Sequence, residues 1–271
     1  MSYFELVPHN VGLNHMQNSP FKLLDFHYLK LEDAGRQEGE TGDREVVAVI
    51  LSGKANFIVN GVVFPNVGGR PNPHAGKPHS VYMPCGARYS IEAIGPFEAG
   101  LISAPSDLVT PPYVIDPDQV VVVSAGAANF TRKLHQILTL SGQPNLLARR
   151  LIIGETITSS GNWSTYPPHR HEQDNLPYEA YHEELYFFKV SPSDGFSLLR
   201  HYSDDFDNAY TIKDNSIFLG SKGYHTVACA PGMTNFYIWA LAGSQRVQAV
   251  FEDPTLSWIS KAQPMLKALG H

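Results

Sequence analysis

The feature that most restricts the fold of this chain is the shortness of its apolar segments, each stopped after a few β-branched or aromatic residues by a turn residue. Val46-Val47-Ala48-Val49-Ile50-Leu51 ends at Ser52-Gly53. Phe57-Ile58-Val59 runs into Asn60-Gly61, a dipeptide that favours a two-residue hairpin turn. Ser80-Val81-Tyr82-Met83 ends at Pro84, and Val120-Val121-Val122-Val123 ends at Ser124-Ala125-Gly126. The runs 185–188, 196–199, 217–219, 236–241 and 246–251 repeat the habit. Helical patterning is confined to 259–269, interrupted at Pro264, while 143–147 supports at most a turn. Many short strands separated by turn residues predict an all-β protein, an antiparallel sandwich or barrel.

At about 150 residues per domain, 271 residues allow one large domain or two small ones. A faint repeat favours two. Ser80 precedes Tyr89 by nine residues, as Ser216 precedes His225. Glu45 opens a strand that reaches Gly53, and Glu184 opens another that reaches Asp194-Gly195. Two copies of one barrel module would divide the chain into 1–120 and 121–271, with the join within 111–126.

Composition narrows the partners. A net charge of −6 offers no field for a polyanion, so nucleic acid is not an expected partner. The most strongly apolar stretch, 46–51, is far short of the roughly 20 residues of a membrane span, so no membrane partner is expected either. No basic segment followed by an apolar one marks the N-terminus, and Cys85 and Cys229 read as free thiols. The expectation is a cytoplasmic globule that acts on a small molecule, with self-association into a homo-oligomer left open.

The chemistry is concentrated in Gly161-Asn162-Trp163-Ser164-Thr165-Tyr166-Pro167-Pro168-His169-Arg170-His171, followed by Glu183-Glu184-Leu185-Tyr186. Residues two apart in a strand share a face, so His169 and His171 present two imidazoles to one side, close enough to chelate one ion. A carboxylate from the next strand would add an oxygen ligand, and Gly223-Tyr224-His225 offers a third imidazole. His74, His79, His135, His182 and His201 lack such partners and read as structural or surface imidazoles.

The order of these elements resembles the cupin barrel: a glycine, His-x-His, a glutamate on the next strand, then a turn and a histidine. Two departures are visible. The interval from His171 to Glu184 is long, making 172–182 an inserted loop over the barrel mouth, and Ser221 replaces the usual turn proline. With Gln173-Asp174-Asn175-Leu176-Pro177, Gly195-Phe196, Arg200, Tyr202-Ser203-Asp204-Asp205 and the tail from Asp253-Pro254 to Trp258-Ile259, the stretch 160–260 resembles the 5-deoxy-glucuronate isomerase family of bacterial myo-inositol catabolism. The first 125 residues match in length and pattern only. The resemblance implies a bicupin, two antiparallel β-barrels in one chain, with metal ligands at His169, His171, Glu184 and His225. Which glutamate binds depends on strand parity. Glu184 shares a face with Tyr186 and Phe188, Glu183 with Leu185 and Phe187, and a polar site favours the face that carries the tyrosine. The first half should be an empty copy: no histidine lies between Glu32 and Glu45, and Tyr89 takes the place of His225.

The resemblance further implies conversion of 5-deoxy-D-glucuronate to 5-dehydro-2-deoxy-D-gluconate, an aldose–ketose isomerisation through an enediol. One divalent ion would act as Lewis acid: zinc is expected, and manganese, iron or nickel is permitted. The acid–base candidates are Tyr186, Glu172 and Asp174, with Tyr237 also within reach. The substrate carboxylate calls for a cation, and Arg200, Arg170 and Lys189 are candidates, with Tyr237 as a further substrate contact. The same ligand set would also suit an Fe(II) cupin dioxygenase or a non-catalytic sugar-acid-binding bicupin.

Overall fold

The computed structural model describes residues 3–270. Its first strands are β1 (Phe4–Leu6), β2 (Gly12–His15), β3 (Asp25–Leu31), β4 (Arg36–Glu40), β5 (Arg44–Val59), β6 (Val62–Gly68), β7 (Ser80–Met83), β8 (Arg88–Pro105) and β9 (Tyr113–Ile115). There follow β10 (Val121–Ala125), β11 (Arg132–Leu138), β12 (Leu151–Thr158), β13 (Trp163–Arg170), β14 (His182–Ser191), β15 (Ser197–Tyr202) and β16 (Asp207–Ile212). The chain ends with β17 (Ser216–Gly220), β18 (Tyr224–Cys229), β19 (Thr234–Gly243), β20 (Phe251–Glu252) and the helix α1 (Trp258–Ala268). Every strand pairing is antiparallel, as the turn-punctuated sequence predicts.

Strands β2 to β9 make one sheet, which the long strands β5 and β8 bend around a core that includes Leu29, Ile50, Phe57, Ile91 and Phe97. The second barrel has two walls. One is the seven-stranded sheet β1-β17-β14-β19-β12-β11-β10, and the other is the five-stranded sheet β16-β15-β18-β13-β20. Between them lie Phe188, Leu199, Phe218 and Tyr237. A third core joins the barrels through Phe26, Val47, Val49, Phe187 and Ile238. The period-two alternation of a strand accounts for this arrangement. On β5, Ala48 and Ile50 fill the first barrel while Val47 and Val49 face the second. On β14, Tyr186 and Phe188 fill the second barrel while Leu185 and Phe187 face the first.

The structure departs from the sequence reading in three places and adds one pairing that reading did not address. Ser52-Gly53 does not end a strand: the pairing register shifts on either side of Ser52, Gly53 adopts φ +79°, and β5 runs on to the Asn60-Gly61 turn. Arg246–Val250 is not a strand. The buried Arg246 guanidinium donates to the carbonyls of Leu138, Leu146 and Leu151, and this holds the segment out of the sheet. Pro264 lies inside a continuous α1 rather than dividing it. Phe4–Leu6, at the start of the chain, pairs with β17 of the second barrel (Phe4 opposite Phe218).

Candidate metal centre

The five-stranded wall contributes His169 and His225, which are cross-strand partners in the β13–β18 ladder with rings 5.0 Å apart. His171 follows directly after β13, and β14 brings Glu184 from the opposite wall. One ligand atom from each of these four residues lies within 4.8 Å of the others. The Glu184 Oε2 oxygen is 2.9 Å from His171 Nε2 and 3.1 Å from His225 Nε2. His171 Nδ1 donates to the His182 carbonyl at 2.7 Å, which fixes the ring with Nε2 turned inward. Three imidazoles and one carboxylate converging in a buried cleft form a donor set that could hold a metal ion.

The electrostatics leave His169 neutral and Glu184 charged, as ligands require, and draw a proton toward His171 while the carboxylate is its partner. Burial, followed by the charge of His225, pushes His169 down to about 3, so the imidazole is neutral at pH 7. Burial alone would raise Glu184, but hydrogen bonds and charge from His171 and then His225 outweigh it and hold the carboxyl well below the usual range. Burial also opposes the charged form of His171, yet its hydrogen bond and charge contact with Glu184 raise it on balance. Tyr186 is pushed well above its ordinary value by burial and by the Glu184 charge, so its hydroxyl keeps its proton.

The choice between the two glutamates follows strand parity. The Glu183 carboxylate points between the barrels and accepts from the backbone N–H groups of Lys22, Leu23 and Leu24 at 2.7–2.9 Å. Its role is to hold a segment of the first half in place.

Beside His169 and Glu184 lies a cavity of about 190 Å³. Glu184 and Tyr186 of β14, Tyr237 and Trp239 of β19, Thr156 of β12, and Arg132 and Leu134 of β11 line the seven-stranded wall. Thr165 and His169 face them, and Gln248 and Val250 of the irregular segment after β19 cover one side. Trp239 can lie across β12 because residue 154 is glycine; a Cβ there would run into the indole ring. Tyr186 Oη is 3.0 Å from His225 Nε2 and 3.3 Å from Thr165 Oγ1, which is in turn 3.2 Å from Tyr237 Oη.

The other sequence candidates lie outside this cavity. Arg200 is half-exposed on the outer face of β15 and holds Asp207 through Nε (2.9 Å) and Nη2 (2.7 Å). Its expected neighbour Leu198 is exposed too, so the charge stands in solvent rather than in the barrel. Arg170 alternates outward between His169 and His171, pairs with Glu172 at 3.0 Å and rests on the rings of Tyr224 and Phe251. Glu172 also accepts from Gly223 N–H, and Asp174 accepts from Tyr181 N–H on the exposed loop. Lys189 points between the barrels, 3.4 Å from Glu98 and 3.6 Å from Asp214. The loop 172–181 is closed by His182 N–H donating to the His171 carbonyl and by Glu179, which accepts from the backbone of Glu172 and Gln173.

Sequence reasoning missed Arg132, Thr165, Trp239 and Gln248. Arg132 alternates with Leu134 on the inner face of β11, but a lone arginine beside a turn carries no motif. Gln248 lies in a segment taken for a strand.

Comparison with known proteins agrees with this architecture. Residues 8–259 match the family model described as the KduI/IolB family. A 5-deoxy-glucuronate isomerase of Geobacillus kaustophilus is 38% identical over 227 residues, covering 83% of this chain and 81% of that protein. The protein of the same name from Bacillus subtilis is 32% identical over 245 residues, 89% of each chain. The crystal structure of an IolB-like protein from Salmonella typhimurium superposes with a TM-score of 0.90 at 27% identity, covering 96% of this chain and 100% of that one. An oxalate decarboxylase of Lactobacillus farciminis shares the fold alone, with a TM-score of 0.69 at 10% identity over 100% of this chain and 94% of that one. With strands of two antiparallel barrels in the bicupin arrangement and a family match spanning nearly the whole chain, the protein belongs to the KduI/IolB family.

Proposed function

We propose that this isomerase-family chain interconverts 5-deoxy-D-glucuronate and 5-dehydro-2-deoxy-D-gluconate, using a divalent metal ion held by His169, His171, Glu184 and His225. The observation that carries this reading is the convergence of those four side chains, two of which, His169 and Glu184, line a small cleft. The relatives that bear the isomerase name extend over most of the same chain. A cavity of about 190 Å³ is of the scale of one small sugar acid. Zinc is the expected ion, with manganese, iron or nickel compatible with the same donors. When bound, the ion supplies Lewis-acid stabilisation of negative charge on the substrate oxygens.

The protein groups divide the remaining work. His171 is held by the His182 carbonyl through Nδ1, so its ring enters the reaction already oriented, while the Tyr186 hydroxyl lies beside the inward Nε2 of His225. Tyr186 is the acid–base candidate that faces the cavity, and its raised pKa makes it a donor to a substrate oxygen. The hydroxyl chain Tyr186–Thr165–Tyr237 can take a proton from one substrate oxygen and return one to its neighbour without any of the three ionising. Trp239 and Val250 give part of the cavity wall an apolar surface.

The division of the chain at residue 120 belongs to the same proposal, with the metal confined to 121–271. In this scheme the first barrel packs against and orients the second. Purified protein, assayed anaerobically without nicotinamide or flavin, should convert the aldehyde to the ketone. Chelation should stop turnover and divalent ions should restore it. Strict dependence on oxygen would move the assignment to a dioxygenase.

A further inference from the structure

We propose that Arg132 binds the substrate carboxylate and thereby makes this cavity selective for sugar acids over neutral sugars; the proposal rests on the isomerase reading of the same cavity. Arg132 stands at the start of β11 and lines the cavity together with His169, Glu184 and Tyr186. Its side chain makes no ion pair among the described residues. Nη1 donates to the carbonyls of Phe130 (3.2 Å) and Tyr166 (3.3 Å), and these two bonds anchor the guanidinium. Nε and Nη2 make no hydrogen bond among the described residues, which leaves donors for a ligand.

Arg170 and Arg200, by contrast, already hold carboxylates of this chain, and Lys189 lies between Glu98 and Asp214. A largely buried guanidinium without a counter-ion is unfavourable on its own, and burial lowers its affinity for its proton. A substrate carboxylate would offset that cost through a forked, charge-assisted pair. The position fits a two-ended substrate. Two strands of one sheet, β12 and β19, separate Arg132 on β11 from Glu184 on β14, so the cation and the carboxylate of the cluster line different parts of the cavity wall. The reacting carbonyl at one end of a six-carbon acid and its carboxylate at the other would then each meet an opposite charge.

The test uses the metal-loaded full chain and two variants, Arg132→Gln and Arg132→Lys. Turnover is measured on 5-deoxy-glucuronate and on the analogue with a hydroxymethyl group in place of the carboxylate. Wild type should prefer the acid. Arg132→Gln should lower kcat/KM for the acid about 30- to 100-fold, mainly through KM, and leave the neutral analogue within about threefold. Arg132→Lys keeps the charge without the fork and should lose about tenfold on the acid alone, which carries the test if the Gln variant does not fold. Metal content should match wild type in both. Equal losses on both substrates, or an undiminished preference for the acid, would overturn the proposal. A calorimetric arm with D-gluconate and D-glucitol separates the two readings. Tighter gluconate binding that disappears in Arg132→Gln supports the clamp even if the protein fails to isomerise. Isomerisation with the acid preference intact in Arg132→Gln rejects the clamp alone.

Discussion

Gly39 stands opposite Tyr89 in the first barrel as His169 stands opposite His225 in the second, each pair bridging the equivalent strands β4–β8 and β13–β18. Two residues further on, Thr41 answers to His171. Its hydroxyl donates to the Pro84 carbonyl and accepts from Ala87 N–H, so it is engaged by the protein's own backbone. The next strand carries Glu45-Val46 in one barrel and Glu183-Glu184 in the other. Glu45 accepts from the N–H groups of Arg149, Arg150 and Leu151, just as Glu183 accepts from Lys22, Leu23 and Leu24. Glu45 is thus the counterpart of Glu183, and Val46 is the counterpart of Glu184. Each barrel uses the first position to grip a segment of the other, and only the second barrel places chemistry at the next. The same scaffold therefore serves as support in one half and as a site in the other, through four side chains.

The largest effect should come from the centres themselves. His171→Ala is expected to lower turnover about 10³-fold and empty the metal site, whereas Thr41→Ala leaves both unchanged. Metal analysis beside an activity assay checks this, and loss of activity in Thr41→Ala would break the contrast. Next come the paired glutamates. Glu45→Gln and Glu183→Gln should each cost about 2–4 kcal/mol of folding stability in urea titrations, because three buried N–H groups lose a charged acceptor. Glu184→Gln should instead weaken metal binding, and metal loss with Glu183→Gln would reverse the parity argument.

A smaller effect concerns acid. His201, buried beside His225 on β15 with Nε2 at 2.6 Å from the Lys222 carbonyl, is pushed down to about 4, first by burial. Its folded pKa lies below the unfolded value of about 6.5, so the unfolded chain takes up the proton first. This contribution to stability is whole above pH 6.5 and is lost as pH falls toward 4, by roughly 2–3 kcal/mol. Hydrogen exchange should show the second barrel loosening first over that range, and His201→Gln should flatten the dependence. Simultaneous opening of both barrels in both proteins would count against it. The smallest effect is steric. A Cβ at residue 39 would meet Tyr89 Oη at 2.5 Å, so Gly39→Ala should cost about 1–2 kcal/mol, and Tyr89→Ala in the same chain should recover part of it. Additive losses in a double-mutant cycle would show that Tyr89 does not fill the vacant ligand space.

Legibility in the sequence followed from how local each feature is. The His-x-His spacing and the alternation of β14 are short-range, so the paired imidazoles and the inward glutamate could be read from neighbours in the chain, whereas His225 joined them through the family resemblance. The pairing of Glu45 with Glu184 was off by one residue because both glutamate positions open a strand. What separates them is contact with distant backbone at 22–24 and 149–151. Arg200 was misplaced for a related reason. Alternation shows which residues share a face, but Leu198 does not reveal whether that face is the covered one. Arg132 enters the cavity only through the β11–β12–β19–β14 strand order, which no local pattern encodes.

The pairing of Phe4–Leu6 with β17 bears on the order in which the molecule can be made. Phe4–Leu6 docks against residues 216–218, more than two hundred positions later. It must wait through most of synthesis without its partner, and closing so long a loop carries an entropic cost before any contact forms. The second barrel can acquire its outer strand only after the rest of that sheet exists. This strand thus acts as a latch that is set late, and in a protein cut near residue 120 it would join the two fragments together with the shared core and the two glutamate grips.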